Sequence, residues 1–127
     1  MADDAIKPAV VAANVDRVAV YRAELTRIMG RHAAPTTGPA EPGVETVFVS
    51  DLDRDEYVIL DRGWRGWRRV DDVMVHARIA GGKVWVEQDW TDGGIATELV
   101  RAGVPRCDIV LGFHPPELRH LTDFAVA

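Results

Sequence analysis

The segment "WRRVDDVMVHARIAGGKVWVEQDW", residues 67–90, decides the fold. It holds two apolar runs rich in β-branched residues, separated by Gly81 and Gly82. Both glycines can adopt positive φ without steric strain, and two such residues are enough to connect antiparallel strands. The segment therefore predicts a β-hairpin whose first half is one long strand or two pieces joined by a bulge.

Two more strands are predicted before this hairpin. The stretches "VETVFVS" (44–50) and "EYVILD" (56–61) are rich in β-branched and aromatic residues, which favour strands. The five residues between them, four of which are charged, predict a hairpin loop. Together with the segment at 67–90, these stretches predict an antiparallel meander of four strands.

Helices are predicted on both sides of the meander. Asn14 can cap a helix that begins near Val15, and apolar residues spaced by three and four form one stripe along it. A second helix is predicted from about residue 94 to residue 102, with Asp92 as its cap. Gly103 suits the left-handed position past its end. Its inward residues are Ile95 and Leu99.

The predicted fold class is α+β. It is an antiparallel four-stranded meander with an N-terminal helix and a second helix packed on it, because one helical layer on one sheet face buries both apolar surfaces. An extended C-terminal segment, "DIVLGF" (108–113), is expected to be buried. The length suits one domain, residues 1–127, with residues 1–14 as a flexible N-terminus.

Composition excludes several function classes. The net charge of -5 disfavours binding of nucleic acid through the overall charge of the protein. Cys107 is the single cysteine, which excludes a disulfide within the chain and fits a reducing compartment. The acidic N-terminus does not resemble a signal or transit peptide, and no apolar stretch approaches the roughly 20 residues that span a bilayer. We expect a cytoplasmic protein with no membrane association.

Acidic residues supply the first candidate sites. Three aspartates alternate in "DLDRDEY" (51–57) as in a calcium loop, but Glu56 and Arg62 stand where that loop needs glycine and glutamate. A solvated turn is expected instead, with no metal or cofactor. Glu87 and Asp89 are predicted to share a strand face. Paired carboxylates are typical of acid–base catalysis, but they are also typical of a solvent-exposed sheet face. The neighbouring Trp85 and Trp90 are expected to pack.

The most unusual strand segment is "RGWRGWRRVDD" (62–72), in which arginines interleave with tryptophans. The candidate contact residues are Arg62, Trp64, Arg65, Trp67, Arg68 and Arg69. One interpretation is a hairpin with one or both tryptophans in the core and arginines paired across strands. A second is a protein interface, and a third is single-stranded nucleic acid binding. The third is weakened because residues 61–72 carry one net positive charge.

The segment "DIVLGFHPPELRHLTDF" (108–124) raises the question of whether His114 is catalytic. A nucleophile would have to be Ser50 or Cys107, and Cys107 lies about 20 Å away if the intervening chain is extended. No metal-ligand spacing is present. The two prolines predict a rigid exit from a strand. We therefore expect the imidazole to satisfy buried backbone groups at this corner.

The run at residues 81–127, from "GGKVWVEQDW" to "HLTDFAVA", strongly resembles the C-terminal half of the XisI family, the fdxN element excision controlling factors. The Tyr21-Arg22 pair and the "GW…RV" pattern at 63–70 agree with the same family, so the resemblance covers residues 15–127. The sequence departs from the pattern at Asp123, where the family usually has glycine. It departs again in the proline-rich loop at 34–43.

The resemblance implies a small intracellular α+β protein linked to site-specific excision of a DNA element. Such proteins are accessory to a separate recombinase and are encoded beside a XisH-type protein with a nuclease-like fold. The implied function is non-enzymatic control by binding a XisH-like partner, with no catalytic residues and only indirect contact with DNA. His114 and Arg119 are then expected to join the Trp/Arg segment in partner contacts.

Three alternatives remain open at this stage. The protein could restrain a nuclease-like partner as an antitoxin does, or bind DNA directly through the arginines at 62–69. It could also be an enzyme with Glu87, Asp89 or His114 in a pocket. Self-association is compatible with an open sheet edge.

Overall fold

Two helices and five strands make up the part of the chain that the computed structural model describes, residues 17–34 and 41–127. The elements are α1 (Arg17–Ala33), β1 (Val44–Asp51), β2 (Glu56–Arg65), β3 (Arg68–Ala80), β4 (Lys83–Asp89), α2 (Ile95–Arg101) and β5 (Ile109–Leu111). Short 3-10 turns span Arg106–Asp108 and Pro116–Leu121. The predicted helix cap Asn14 and the start at Val15 lie outside the described residues. None of the described helices is long and apolar enough to cross a membrane.

The strands form one sheet in the order β1-β2-β3-β4-β5. The four-stranded antiparallel meander is present, but the prediction that it forms the whole sheet is wrong. β5 pairs with β4 in parallel, so the sheet is mixed and has five strands. Parallel neighbours need a crossover connection, and α2 supplies it. The predicted extended segment at 108–113 thus contains a strand of three residues, too short to show a period in the sequence.

The glycine turn at the centre of the fold is confirmed. Gly81 and Gly82 have φ of 60° and 74°, and they connect β3 to β4. β3 is one long strand, and its pairing with β2 shifts register between Ile59 and Leu60, where Met74 of β3 is the extra residue. The predicted bulge is therefore present within a continuous strand.

Both helices lie on one face of the sheet and bury its apolar residues. The predicted stripe of α1 is confirmed at Leu25, Ile28 and Met29, which are fully buried. Ile95 and Leu99 of α2 are buried as predicted. The sheet contributes Tyr57, Ile59, Val75, Ala77, Ile79, Val84, Val86 and Ile109 to the same core.

A buried polar contact joins the first helix to the last strand. The hydroxyl of Tyr21 donates a hydrogen bond to the carboxylate of Asp108, the residue before β5. Asp108 is only 9% exposed, and the guanidinium of Arg17 lies 3.8 Å from its carboxylate. A buried carboxylate is costly unless it is paired, and these two partners meet that need.

A second tyrosine makes a similar contact near Arg22, the residue that follows Tyr21 in α1. The hydroxyl of Tyr57 donates to Asp55 over 3.3 Å, and Arg22 donates to both oxygens of that carboxylate, at 2.7 and 3.0 Å. The Arg22 hydrogen bond holds the pKa of Asp55 below its usual range. Burial, and then the nearby carboxylate charge, raise the pKa of Tyr57 to about 12. Burial and the Asp108 hydrogen bond raise the pKa of Tyr21 further.

These pKa shifts predict how the tyrosinate absorbance and the stability of the protein change at alkaline pH, because they affect both of its tyrosines. In the folded protein we expect little tyrosinate absorbance at 295 nm at about pH 10, where unfolded tyrosine is half ionised. Both pKa values are higher in the folded than in the unfolded state. The tyrosines therefore contribute stability that is fully present below about pH 10 and is lost as the pH rises through about 12. Tyr57→Phe assigns the two steps, and half-ionisation of folded protein near pH 10 would contradict the buried contacts.

A matched pair of glycines tests the packing of β1 against β2. Gly63 has φ of 136°, and a Cβ there would lie 1.9 Å from the carbonyl oxygen of Gly43. Gly66 has φ of 61° with no atom within 4 Å of such a Cβ. We expect Gly66→Ala to lower the free energy of unfolding by about 1 kcal/mol and Gly63→Ala by about 3 kcal/mol or more. Urea unfolding measures both, and equal losses would show that the backbones do not approach this closely.

Candidate functional site

The Trp/Arg hairpin, residues 62–69, is formed by the end of β2 and the start of β3. Gly66 and Trp67 make its two-residue turn, after the cross-strand pair of Arg65 and Arg68. Trp67 is 100% exposed and Trp64 is 52% exposed. The prediction that one or both of these tryptophans lie in the core is therefore wrong. For Trp67 the reason is positional, because a side chain at a turn beyond the last strand pair has no sheet face to pack on, whereas Trp64 lies on the sheet face opposite to the buried Tyr57 and Ile59.

Carboxylates from β1 and the chain before it hold the arginines of the hairpin. Arg62 Nε lies 3.0 Å from Glu45 Oε1 across the β1–β2 ladder. Arg65 donates two hydrogen bonds to Glu41, one of them 3.0 Å long, and this contact lowers the pKa of Glu41. Within residues 17–34 and 41–127, Arg68 forms no ion pair. The predicted pairing of the arginines across strands is thus confirmed for Arg62.

The last arginine of the hairpin contacts a tryptophan. The guanidinium of Arg69 lies 5.3 Å from the ring centroid of Trp64, its cross-strand neighbour. It also donates to the carbonyl oxygen of Gly63 over 3.3 Å. This contact holds the half-exposed indole in one orientation.

The charge of this surface differs from that of the linear segment. Five carboxylates lie around the four arginines of the hairpin, counted over both faces of its strands, because β1 and the preceding turn add two to the three in residues 61–72. The carboxylates are Glu41, Glu45, Asp61, Asp71 and Asp72. The assembled surface therefore carries one net negative charge, where the segment alone carries one net positive charge.

The corner after β5 depends on Arg119 rather than on His114. Arg119 Nε donates to the backbone oxygen of His114 over 3.0 Å, and its Nη atoms donate to the oxygens of Val126 and Gly112 over 3.4 and 3.5 Å. Its guanidinium also lies over the ring of Trp85, 5.4 Å from the centroid. The prediction that the imidazole satisfies backbone groups is wrong, because Arg119 reaches these carbonyls instead.

The imidazole of His114 lies against an aromatic neighbour. Its ring centroid is 4.6 Å from that of Phe113, which is 48% exposed. No hydrogen bond joins the His114 ring to another side chain in the described part of the chain. His114 therefore belongs to an aromatic surface and has no partner that would activate it as a base.

The two remaining carboxylate candidates are each held by hydrogen bonds of their own. Glu87 accepts a hydrogen bond from Arg78 Nε. Asp89 accepts from the backbone N–H groups of Thr91 and Ile95, at 2.9 and 2.7 Å, so it anchors the start of α2 in place of the predicted cap at residue 92.

The predicted solvated turn at 51–57 is confirmed for Asp51 and Asp53, whereas Asp55 is largely buried against Arg22 of α1. The carboxylate of Asp51 accepts hydrogen bonds from the backbone N–H groups of Asp53 and Arg54, at 2.9 and 3.1 Å. Its second oxygen pairs with the guanidinium of Arg54. Among the described residues, no group of three potential ligand side chains could hold a metal ion.

The structure presents two candidate surfaces. The Trp/Arg hairpin is built on β2 and β3, whereas His114 and Arg119 follow β5, on the far side of β4 in the sheet. Sequence reasoning missed the exposed Trp90, which is 69% exposed where packing was expected. Its position directly after a strand end, before the turn residues "TDGG", is the signal that could have indicated exposure.

Comparisons with known proteins agree with this architecture. The model of the XisI protein family matches residues 15–126. The crystal structure of a XisI-like protein from Anabaena variabilis ATCC 29413 superimposes with a TM-score of 0.80 at 34% identity, covering 87% of this chain and 99% of that one. The fdxN element excision controlling factor XisI from the same organism gives 0.75 at 36% identity, covering 88% and 100%. A search of curated proteins finds no match.

Removal of Arg119 is expected to loosen the C-terminal corner. Arg119→Ala leaves the carbonyls of His114 and Gly112 without their donor and exposes Trp85, so amides in residues 112–127 should exchange hydrogen at least about tenfold faster. Amides of α1 should be unaffected, because the helix lies on the other face of the sheet. His120→Ala, an exposed neighbour, is the matched control. Unchanged exchange in Arg119→Ala would show that the corner is held by other contacts.

Proposed function

The chain belongs to the XisI family, and we propose that it is a non-enzymatic accessory protein that controls excision of a DNA element by binding a XisH-like partner protein. The family match supports the excision role, since one matched structure is named as an excision controlling factor. Glu87 is held by Arg78 and Asp89 by backbone N–H groups, and this structural use of both carboxylates supports a binding role over a catalytic one.

The observation that carries this proposal is the exposure of Trp67. An indole is the side chain that most often anchors protein interfaces, because it buries a large apolar area at low conformational cost. Here it stands fully exposed at the tip of a hairpin, with a half-exposed Trp64 beside it. Arginine, the other anchor type enriched at interfaces, surrounds both.

The hairpin is also ordered before any partner binds. Arg62 and Arg65 are held by Glu45 and Glu41, and Arg69 is held over Trp64. A surface that is already ordered loses less conformational entropy on association. These contacts therefore favour use of the hairpin as a rigid docking element.

Its charge favours a protein over DNA as the direct partner. Phosphate backbones bind surfaces with an excess of arginine and lysine that displace counterions. The assembled hairpin has one more carboxylate than arginine, and two of its arginines are already paired. We therefore propose that contact with the DNA element is made by other components of the excision system.

The first test is co-purification with a XisH-like protein and a Trp67→Ala variant. Trp67 contacts no core residue, so the variant should keep its unfolding midpoint while the affinity for the partner falls by about 2 kcal/mol, roughly 30-fold. Leu52→Ala is the matched control, since Leu52 is 57% exposed at the β1–β2 turn. If the unsubstituted proteins elute apart at micromolar concentration, the proposed mechanism fails. If they bind and Trp67→Ala has no effect, the partner uses another surface.

The DNA-binding alternative has its own measurement. Binding through the hairpin arginines would weaken steeply with added salt and would be lost in the Arg68→Ala, Arg69→Ala double variant. We expect neither effect at physiological salt, and a salt-dependent complex abolished by the double variant would replace the protein-partner proposal. Toxicity of the partner expressed alone, relieved by this chain, would identify the binding as inhibition.

A further inference from the structure

A cleft of about 420 Å³ opens on the helix-bearing face of the sheet. It lies between the end of α1, the strands β1 to β3, and the loop that follows β4. Its lining includes Ile59, Met74, Val75, Trp90, Asp61 and Asp92. None of the residues assigned above to partner contacts lines this cleft.

The floor and one wall of the cleft are apolar. Ile59 and Val75 are 3% and 0% exposed and belong to the core, so the floor is rigid. The wall is the indole of Trp90, which remains 69% exposed. Its backbone N–H donates to the oxygen of Met74 over 2.9 Å, which fixes this residue at the mouth of the cleft. An exposed indole therefore lies beside the apolar residues of the cleft.

The charged groups of the cleft are carboxylates. Within residues 17–34 and 41–127, no lysine or arginine forms an ion pair with Asp61 or Asp92. Asp61 accepts a hydrogen bond from the Thr46 hydroxyl over 2.7 Å. The nearby Arg65 is occupied by Glu41. The histidine of the cleft, His32, bonds to Glu98.

The strand register places a second carboxylate beside Asp61. This makes the absence of a paired lysine or arginine among the described residues more significant. Asp61 lies directly opposite Asp72 in the β2–β3 ladder, and like charges in that arrangement repel. On the other face of the same strands, the neighbouring row is Glu45, Arg62 and Asp71, which alternates in sign. In that row an arginine stands between the two carboxylates, whereas the row that reaches the cleft has two carboxylates and no basic residue.

We propose that the cleft binds an arginine side chain presented by an extended segment of a partner protein. The aliphatic stem would lie on the half-buried Met74, while the guanidinium stacks on Trp90 and pairs with Asp61. Arginine fits better than lysine, because its planar group can stack and form two parallel hydrogen bonds at once. Anionic ligands such as phosphate are disfavoured by the same carboxylates.

This inference does not depend on the Trp/Arg hairpin. Side chains alternate between the faces of a strand, so Asp61 and Trp64 of β2 lie on opposite faces of the sheet. Binding at the cleft could therefore hold while the hairpin proposal fails, and the reverse is equally true.

The test is a titration of the full chain, labelled with ¹⁵N at its indoles, with the capped tripeptide acetyl-Gly-Arg-Gly-amide. The Trp90 indole signal, assigned with Trp90→Phe, should shift saturably. The citrulline peptide, of the same shape without the charge, should bind at least about tenfold more weakly. Asp61→Asn should weaken the arginine peptide by about tenfold. Asp71→Asn, the matched control on the other face, should leave its affinity unchanged.

Several outcomes would overturn the proposal. These are no saturable shift up to about 20 mM peptide, equal binding of the citrulline peptide, or an Asp61→Asn variant that folds normally and binds unchanged. Equally tight binding of spermidine or of guanidinium ion would identify a site for small cations and remove the docking role. Arginine-selective binding that depends on Asp61 supports it.

Discussion

The hydrogen bond from the Tyr21 hydroxyl to the carboxylate of Asp108 connects the first helix to the last strand, and the corner that follows β5 depends on it. Asp108 is buried, so its charge needs a partner, and the partner lies on α1. β5 has only three residues, and its ladder with β4 is short. The contact therefore supports a strand whose backbone pairing alone is limited.

After β5 the chain enters the corner formed by His114, Pro115 and Pro116. There one side chain, rather than a neighbouring strand, binds the backbone carbonyl oxygens. Arg119 reaches three carbonyl oxygens and the ring of Trp85. Further on, Ala125 bridges back to Val110 and covers part of the outer edge of β5. The residues that make this segment distinctive, His114 and Phe113, are left on the surface, so the corner is a scaffold that presents an aromatic surface.

Near the other edge of the sheet, charged residues that are distant in sequence are also brought into contact. β1 brings Glu45, and the turn before it brings Glu41, to the arginines of the Trp/Arg hairpin. The hairpin is then close to neutral and its tryptophans dominate the exposed surface. On the opposite face of the same strands, Asp61 and Asp72 lie side by side without an arginine between them. The two faces of these three strands therefore suit different contacts. One face presents tryptophan side chains, and the other presents carboxylates that suit a cationic partner.

The sequence by itself determined the features that depend on near neighbours along the chain. These are the meander, the turn at Gly81 and Gly82, the apolar stripe of α1 and the second helix, because periodicity and turn residues are local signals. The family assignment also came from the linear pattern. The tertiary structure alone decided the parallel pairing of β5, the exposure of Trp67, and the pairing of Arg65 with Glu41. Each depends on which distant residues the fold brings into contact, and neither spacing nor composition encodes that.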